Sequence, residues 1–235
     1  MTQGPCKVTS RSIHQPPPED ADSMAILRRA MVETQLRQHG LRDARVLTAM
    51  GRVPREEFVP VSLRRFAYDD SALPISYGQT ISQPYTVAFM CEAAQLNGGE
   101  NVLEIGTGSG YGAAVLSELA QHVDTMERVD PLAEEAQLRL ERLGYRNVSV
   151  YAENGIHGLP ARAPYDAIIV TAGAHGLPQA YVDQLAEAGR VVIPIGDDPF
   201  SQIMWRYVKR GGELTREDLG TFAFVPLIGE RGWFE

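Results

Sequence analysis

The sequence predicts an α/β fold on a doubly wound, mostly parallel sheet, with a helical N-terminal extension and antiparallel strands at the C-terminal end. Three observations predict it. Short apolar runs at 101–105, 122–127, 147–151, 166–171 and 189–195 alternate with helical patterns at 110–120, 131–143 and 178–187, and a strand-helix-strand-helix order with short apolar strands gives a parallel sheet. The first of those runs ends in a glycine-rich turn that opens directly into a helix, Leu103-Glu104-Ile105-Gly106-Thr107-Gly108-Ser109-Gly110-Tyr111. Finally, 235 residues fit one α/β domain with room for extensions, and its core needs neither disulfide nor metal.

The elements follow in order. Residues 1–22 are polar and contain Pro16, Pro17 and Pro18, a composition that predicts a mobile tail. Helical patterns come next, with Ile26, Leu27, Met31 and Leu36 on one face and Val46, Leu47 and Met50 on another. Gly40 and the run Gly51-Arg52-Val53-Pro54 punctuate them. Residues 55–83 read as irregular, and Pro84 then suits the first turn of a helix reaching about residue 96. Beyond the alternating core, 203–209 and 221–227 read as two further strands, antiparallel at the sheet's end. The expected organisation is a tail (1–22) and a single domain (23–235). That domain divides into a helical, substrate-side segment (23–97), a cofactor-binding core (98–196) and the C-terminal strands (197–235).

Composition excludes several classes. The formal net charge is −8, and no Lys/Arg cluster exceeds a pair, which argues against a nucleic-acid surface. Cys6 and Cys91 stand far apart without ligand-like neighbours, so neither a disulfide framework nor a metal site is expected. The N-terminal residues lack an apolar signal region, and no apolar run is long enough to span a bilayer. A cytoplasmic protein that binds no membrane is the expectation.

Ligands of open α/β sheets sit beyond the carboxyl ends of the strands. The first strand end gives Glu104 and the turn carrying Gly106, Gly108 and Ser109. Glycines there let the backbone approach a ligand at a helix N-terminus. The spacing is G-x-G-x-G, not the G-x-G-x-x-G of dinucleotide folds. Glu104 would repel a pyrophosphate but suits a ligand carrying an amino group and a sulfonium, which points to S-adenosyl-L-methionine. The second strand ends at Glu127, about 20 residues past the first glycine, where an acid accepts hydrogen bonds from a ribose diol. The third leads to Glu153, Asn154 and Gly155, beside an adenine edge. The fourth ends in Thr171 and the small residues after it, leaving room for a reactant. Taken singly each has a plain reading as well: a tight connection, a solvated acid, or an Asn-Gly turn. Set on successive strand ends, they reinforce one another.

The upstream segment Tyr77-Gly78-Gln79-Thr80-Ile81-Ser82-Gln83-Pro84 adds a more specific signal. Together with the glycine motif, residues 165–172, 190–196 and 224–227, all in the same order, it resembles the protein-L-isoaspartate(D-aspartate) O-methyltransferase family. The resemblance covers about residue 24 to the C-terminus. It implies a Rossmann-like methyltransferase that uses S-adenosyl-L-methionine to methylate the free carboxylate of L-isoaspartyl, and D-aspartyl, residues in damaged proteins. By the same resemblance Ser82 is the active-site serine near the acceptor carboxylate, and Thr80 and Ile81 line the pocket. Gly106 and Gly108 form the cofactor loop, and Glu127 is the ribose acid. Val225, Pro226 and Leu227 form a C-terminal strand that pairs with substrate backbone. A monomer is expected.

Two positions depart from the family pattern. Glu153-Asn154-Gly155 replaces the usual Gly-Asp-Gly, in which the Asp lies near the adenine amino group; Asn keeps an acceptor and adds a donor. Ala188 stands where the family commonly has the first of two glycines.

The chemistry needs little machinery, because a side-chain carboxylate with a pKa near 4 is already ionised at neutral pH and no general base is required. This agrees with the scattered histidines, His14, His39, His122, His157 and His175. A plain reading of Ser82 is an N-cap of the helix starting at Pro84. Two other functions share these features: tailoring of one Asp in a biosynthetic peptide, and a catalytically silent cofactor-binding module. A peptide panel separates the first from repair, and methyl transfer separates the second.

Overall fold

A computed structural model of the chain describes residues 21–198 and 201–228. Helix α1 (Ala21–Met31) continues through a π-helical turn, Val32–Arg37, and is followed by α2 (Ala44–Arg52). The expected tail 1–22 lies outside the described residues up to position 20, and Ala21 and Asp22 already belong to α1. On the buried side of this first helical stretch stand Met24, Met31, Val32 and Leu36, whereas Ile26 and Leu27 face solvent. Val46, Leu47 and Met50 of α2 are buried. The start of α2 is fixed by Asp43, whose carboxylate accepts from the Arg45 and Val46 N–H groups that the helix leaves unpaired.

The stretch read as irregular contains 3-10 turns at Arg55–Phe58, Val61–Phe66 and Ser76–Gly78. It also holds a two-residue antiparallel ladder between β1 (Leu73–Pro74) and β2 (Thr80–Ile81). Helix α3 (Pro84–Ala94) begins on Pro84, whose missing N–H costs nothing in a first turn, and ends at Gln95 in the left-handed region.

The central sheet is built from β3 (Asn101–Ile105), β4 (His122–Glu127), β5 (Val148–Ala152), β6 (Tyr165–Val170), β7 (Leu185–Asp198), β8 (Ser201–Arg210) and β9 (Glu213–Phe222). The intervening helices are α4 (Tyr111–Ser117), α5 (Asp130–Leu143) and α6 (Gln179–Asp183). The spatial order is β5-β4-β3-β6-β7-β8-β9, parallel from β5 to β7 and antiparallel from β7 to β9. The order reverses at β3, so β3 and β6 flank the crevice where ligands of such sheets bind. Alternate residues serve opposite layers. Val102, Ala167, Ile169 and Val192 pack towards α3 and α4, whereas Leu103, Ile105, Ile168, Val170, Val191 and Ile193 pack with Tyr181 of α6 and with Ile156 and Leu159. Both faces are therefore covered, as a parallel sheet requires.

Two expected elements are corrected. The helix expected at 178–187 stops at Asp183, and the chain re-enters the sheet at Leu185. Gln184 enforces the stop: its side chain accepts from Leu159 N–H (2.8 Å) and donates to the His157 carbonyl (2.7 Å), while its own carbonyl accepts from Tyr165 N–H. The strand expected at 221–227 is instead β9, ending at Phe222. It follows a two-glycine turn, Gly211-Gly212, with positive φ at both residues. Its polar run is an edge strand exposed along most of its length, so no apolar alternation marks it. Residues 223–228 leave the sheet and cross to the end of β6.

Candidate active site

One cavity of about 380 Å³ opens at the carboxyl ends of β3, β4 and β6, a size usual for a small-molecule site. It is lined by Thr80, Ile81, Ser82, Glu104, Gly106, Gly108, Ser109, Glu127, Asn154, Gly155, Thr171, Val225, Pro226 and Leu227, whereas Glu153, the acid expected beside the adenine edge, is not part of the lining.

The floor is the turn between β3 and α4. Gly106 has φ +98°, and a side chain there would collide with the Thr171 hydroxyl, so only glycine fits. That hydroxyl lies 3.0 Å from the Ile105 carbonyl and 2.9 Å from the Gly106 carbonyl and donates to this pair. Thr171 thus faces the cavity while its proton clamps the turn. Glu127, 7% exposed, accepts from Gly108 N–H (2.9 Å) on one oxygen and from Val129 N–H (3.1 Å) on the other. Two backbone donors hold its carboxylate in place, and its remaining lone pairs are free to receive hydroxyl groups.

Glu104 projects from β3 on the α4 side. It is 1% exposed, and α4 passes so close that a Cβ on Gly112 would overlap its carboxylate. Thr125 Oγ1 donates to it at 2.6 Å, and Thr107 Oγ1 lies 2.7 Å behind Thr125. With the Thr125 proton given to Glu104, Thr107 is the donor in that second contact. Burial pushes the Glu104 carboxyl up to about 8; the Thr125 hydrogen bond opposes the shift and the Glu127 charge adds to it. A buried carboxylate with one donor favours a cationic ligand beside it.

At the other end of the cavity, the N-cap of α3 is Gln83 and no side chain caps the helix. Among the described residues the half-buried Ser82 hydroxyl has no hydrogen-bond partner. The plain reading of Ser82 as a cap is therefore set aside, and its hydroxyl is available to a bound group. The 223–228 segment, which lines the same cavity, makes a single parallel bridge to Gly173. Gly173 N–H donates to the Val225 carbonyl (2.8 Å), and Leu227 N–H donates to the Gly173 carbonyl (2.7 Å). The side chain of Val225 stays 38% exposed. Among the described residues no group of His, Cys, Asp and Glu is arranged to hold a metal ion.

The family model for protein-L-isoaspartate(D-aspartate) O-methyltransferase matches residues 27–232. The chain belongs to that family. A protein-L-isoaspartate O-methyltransferase of Synechococcus sp. (strain JA-2-3B'a(2-13)) is 56% identical over 218 residues, covering 90% of this chain and 89% of the relative. One from Rhodopseudomonas palustris (strain HaA2) is 52% identical over 225 residues, 95% and 92% of the two chains. A solved protein-L-isoaspartate O-methyltransferase superposes with a TM-score of 0.77 at 32% identity, over 86% of this chain and 67% of that one. A Plasmodium falciparum structure assigned to the same enzyme class, in complex with S-adenosyl-L-homocysteine, gives a TM-score of 0.75 at 26% identity over 86% and 98% of the chains.

The two departures from the family pattern acquire a geometry. The Asn154 carbonyl accepts from Ile156 N–H (3.1 Å) and caps the turn Gly155–His157, so the side-chain NH₂ is its remaining donor towards a ligand. Ala188 has φ +61°, in the region where glycine is favoured. Cavity residues that the sequence reading missed include Thr86, Tyr111 and Arg128. Thr107 lies inside the glycine motif itself, and its link to Thr125 and Glu104 could not be read without the pairing of β3 with β4.

Proposed function

We infer that this S-adenosyl-L-methionine-dependent enzyme methylates the free carboxylate of L-isoaspartyl residues in damaged proteins and peptides, starting repair through a succinimide. One observation carries the reading. A ribose-type acid fixed on a glycine loop (Glu127) and an unpartnered hydroxyl (Ser82) line the same cavity, which the 223–228 segment closes.

The residues present suit the cofactor. Glu127 keeps acceptor capacity for ribose hydroxyls, Asn154 and Gly155 form the wall for an adenine edge, and Gly106, Gly108 and Ser109 let the ligand approach the backbone. Glu104 supplies negative charge near an ammonium or sulfonium. When bound, S-adenosyl-L-methionine supplies an electrophilic methyl group and departs as the neutral thioether.

The acceptor carboxylate is ionised at neutral pH, so no side chain has to take a proton. Ser82 donates to one carboxylate oxygen and orients the other towards the methyl carbon, while Thr80 and Ile81 wall the site. Holding the two reactants in line contributes several kcal/mol of the barrier. Val225, Pro226 and Leu227 read the substrate backbone. The ester then loses methanol when the following backbone nitrogen attacks, giving the succinimide without further help from the protein.

The reading extends to D-aspartyl residues and to a cytoplasmic monomer of one domain, 23–235, divided at about 97 and 196. It engages neither membrane nor nucleic acid; the formal net charge of −8 supports the latter. Mass spectrometry of an isoaspartyl peptide incubated with enzyme and S-adenosyl-L-methionine tests it. Methyl ester and succinimide should appear, followed by the aspartyl isomer; an unchanged peptide contradicts the reading.

A further inference from the structure

Gln202 is 1% exposed and lies where β9 leaves the sheet. It is paired with Phe222, the last residue of β9. Two residues on, the Phe224 N–H has no strand partner, and the Gln202 side-chain carbonyl takes its place at 2.8 Å. The other end of the same amide donates to the Asp198 carbonyl at 2.7 Å. Both halves of a buried amide are thus satisfied, in one orientation only. The side chain also packs on Gly173, where a Cβ would come within 3.1 Å of its Cδ. Gly173 is the residue that anchors Val225 and Leu227. A single side chain therefore directs the chain away from β8 and backs the anchor that holds the next three residues over the cavity.

We propose that Gln202 is a positioning residue for the acceptor peptide: it sets the register of the Val225-Pro226-Leu227 wall. This rests on the reading of that wall as the substrate-pairing segment. The cofactor loop is anchored separately, through Thr171, Glu127 and the β3–β4 pairing, so the two ends of the cavity should respond differently to a change at Gln202.

The test is steady-state kinetics with an isoaspartyl peptide, alongside calorimetry with S-adenosyl-L-homocysteine, on three variants. Gln202→Met removes both amide contacts and should raise the peptide KM about tenfold while the S-adenosyl-L-homocysteine Kd stays within about twofold. Gln202→Glu gives a chemical rescue. Its protonated carboxyl accepts from Phe224 and donates to Asp198 as the amide does, whereas the carboxylate meets the Asp198 carbonyl without a proton. Gln202 is 1% exposed, and burial there holds a carboxyl well above the ordinary carboxylate range, so the peptide KM of Gln202→Glu relative to the parent should fall as the pH drops from about 8 to about 6. An unchanged peptide KM in Gln202→Met, peptide KM and cofactor Kd moving together, or a pH-independent KM ratio in Gln202→Glu overturns the proposal. Val225→Lys checks the underlying reading. If it leaves the peptide KM unchanged, the wall does not bind the acceptor; if it raises KM while Gln202→Met does not, only the role of Gln202 fails.

Discussion

Glu104→Gln should uncouple the stability of this protein from pH across the neutral range. The Glu104 carboxyl has an ordinary value of 4.5 and is raised to about 8 in the folded chain, chiefly by burial. A carboxyl raised on folding favours the folded state fully below its unfolded pKa, and that contribution is lost as pH rises towards the folded value. At about pH 7.5 the shift spans about three units, and at 1.36 kcal/mol per unit it opposes folding by about 4 kcal/mol. The amide does not titrate. Its NH₂ faces the crowded Gly112 side, where a missing acceptor costs about 1–3 kcal/mol at every pH. The slope is therefore diagnostic and the offset is not. Denaturant unfolding of both proteins from about pH 5 to about pH 8 should show the variant gaining several kcal/mol on the parent. S-adenosyl-L-methionine affinity of the parent should rise over the same range, by up to about tenfold per pH unit, because a cationic ligand favours the ionised carboxyl. In the variant that affinity should be flat and, at the alkaline end, weaker. Parallel stability curves would refute the argument that a buried Glu104 carries the titration.

Other perturbations separate the two ends of the cavity. Glu127→Ala should weaken S-adenosyl-L-homocysteine binding by about 1.5–3 kcal/mol, the loss of a charged acceptor, and calorimetry reads this directly; an unchanged affinity removes Glu127 from the ribose site. Ser82→Ala should slow single-turnover methyl transfer about ten- to a hundredfold with cofactor affinity intact. Because no capping bond is lost, its melting temperature should hold; a lower melting point with the parental rate reverses the assignment. Ala188→Gly should stabilise the fold. It relieves about 1–2 kcal/mol of left-handed strain at an exposed position within β7 against about 0.5–1 kcal/mol of glycine entropy, and a thermal melt shifted downwards contradicts this.

The parallel core was legible because its strands are short, apolar and separated by clear helical periods. β3 and β4 fall at the expected residues, and β5 and β6 lie within one position of them. Where water covers a strand the signal vanished: β9 carries Glu213, Arg216, Glu217 and Asp218 and has no apolar side to reveal it. The helix expected over 178–187 failed for a tertiary reason, since Gln184 binds the loop at 157–159 and turns the chain back into the sheet. In the candidate site, the strand-end acids and glycines were legible because position on a parallel sheet places them at the crevice. Side chains that act on one another were not. Thr171 clamps the Gly106 turn, Thr125 bonds Glu104, and Gln202 holds Phe224, pairings that appear only once distant strands are neighbours.

The central claim is that this cavity methylates the isoaspartyl linkage and discriminates against the ordinary one. Its most direct test is kcat/KM for radiolabelled methyl transfer from S-adenosyl-L-methionine to two peptides of identical sequence, one with L-isoaspartate and one with L-aspartate. The wall at 225–227, proposed to read the substrate backbone, should hold the kinked linkage in one register and misplace the normal carboxylate, so a ratio of at least about a hundredfold in favour of the isoaspartyl peptide is expected. Equal values for the two peptides would contradict it.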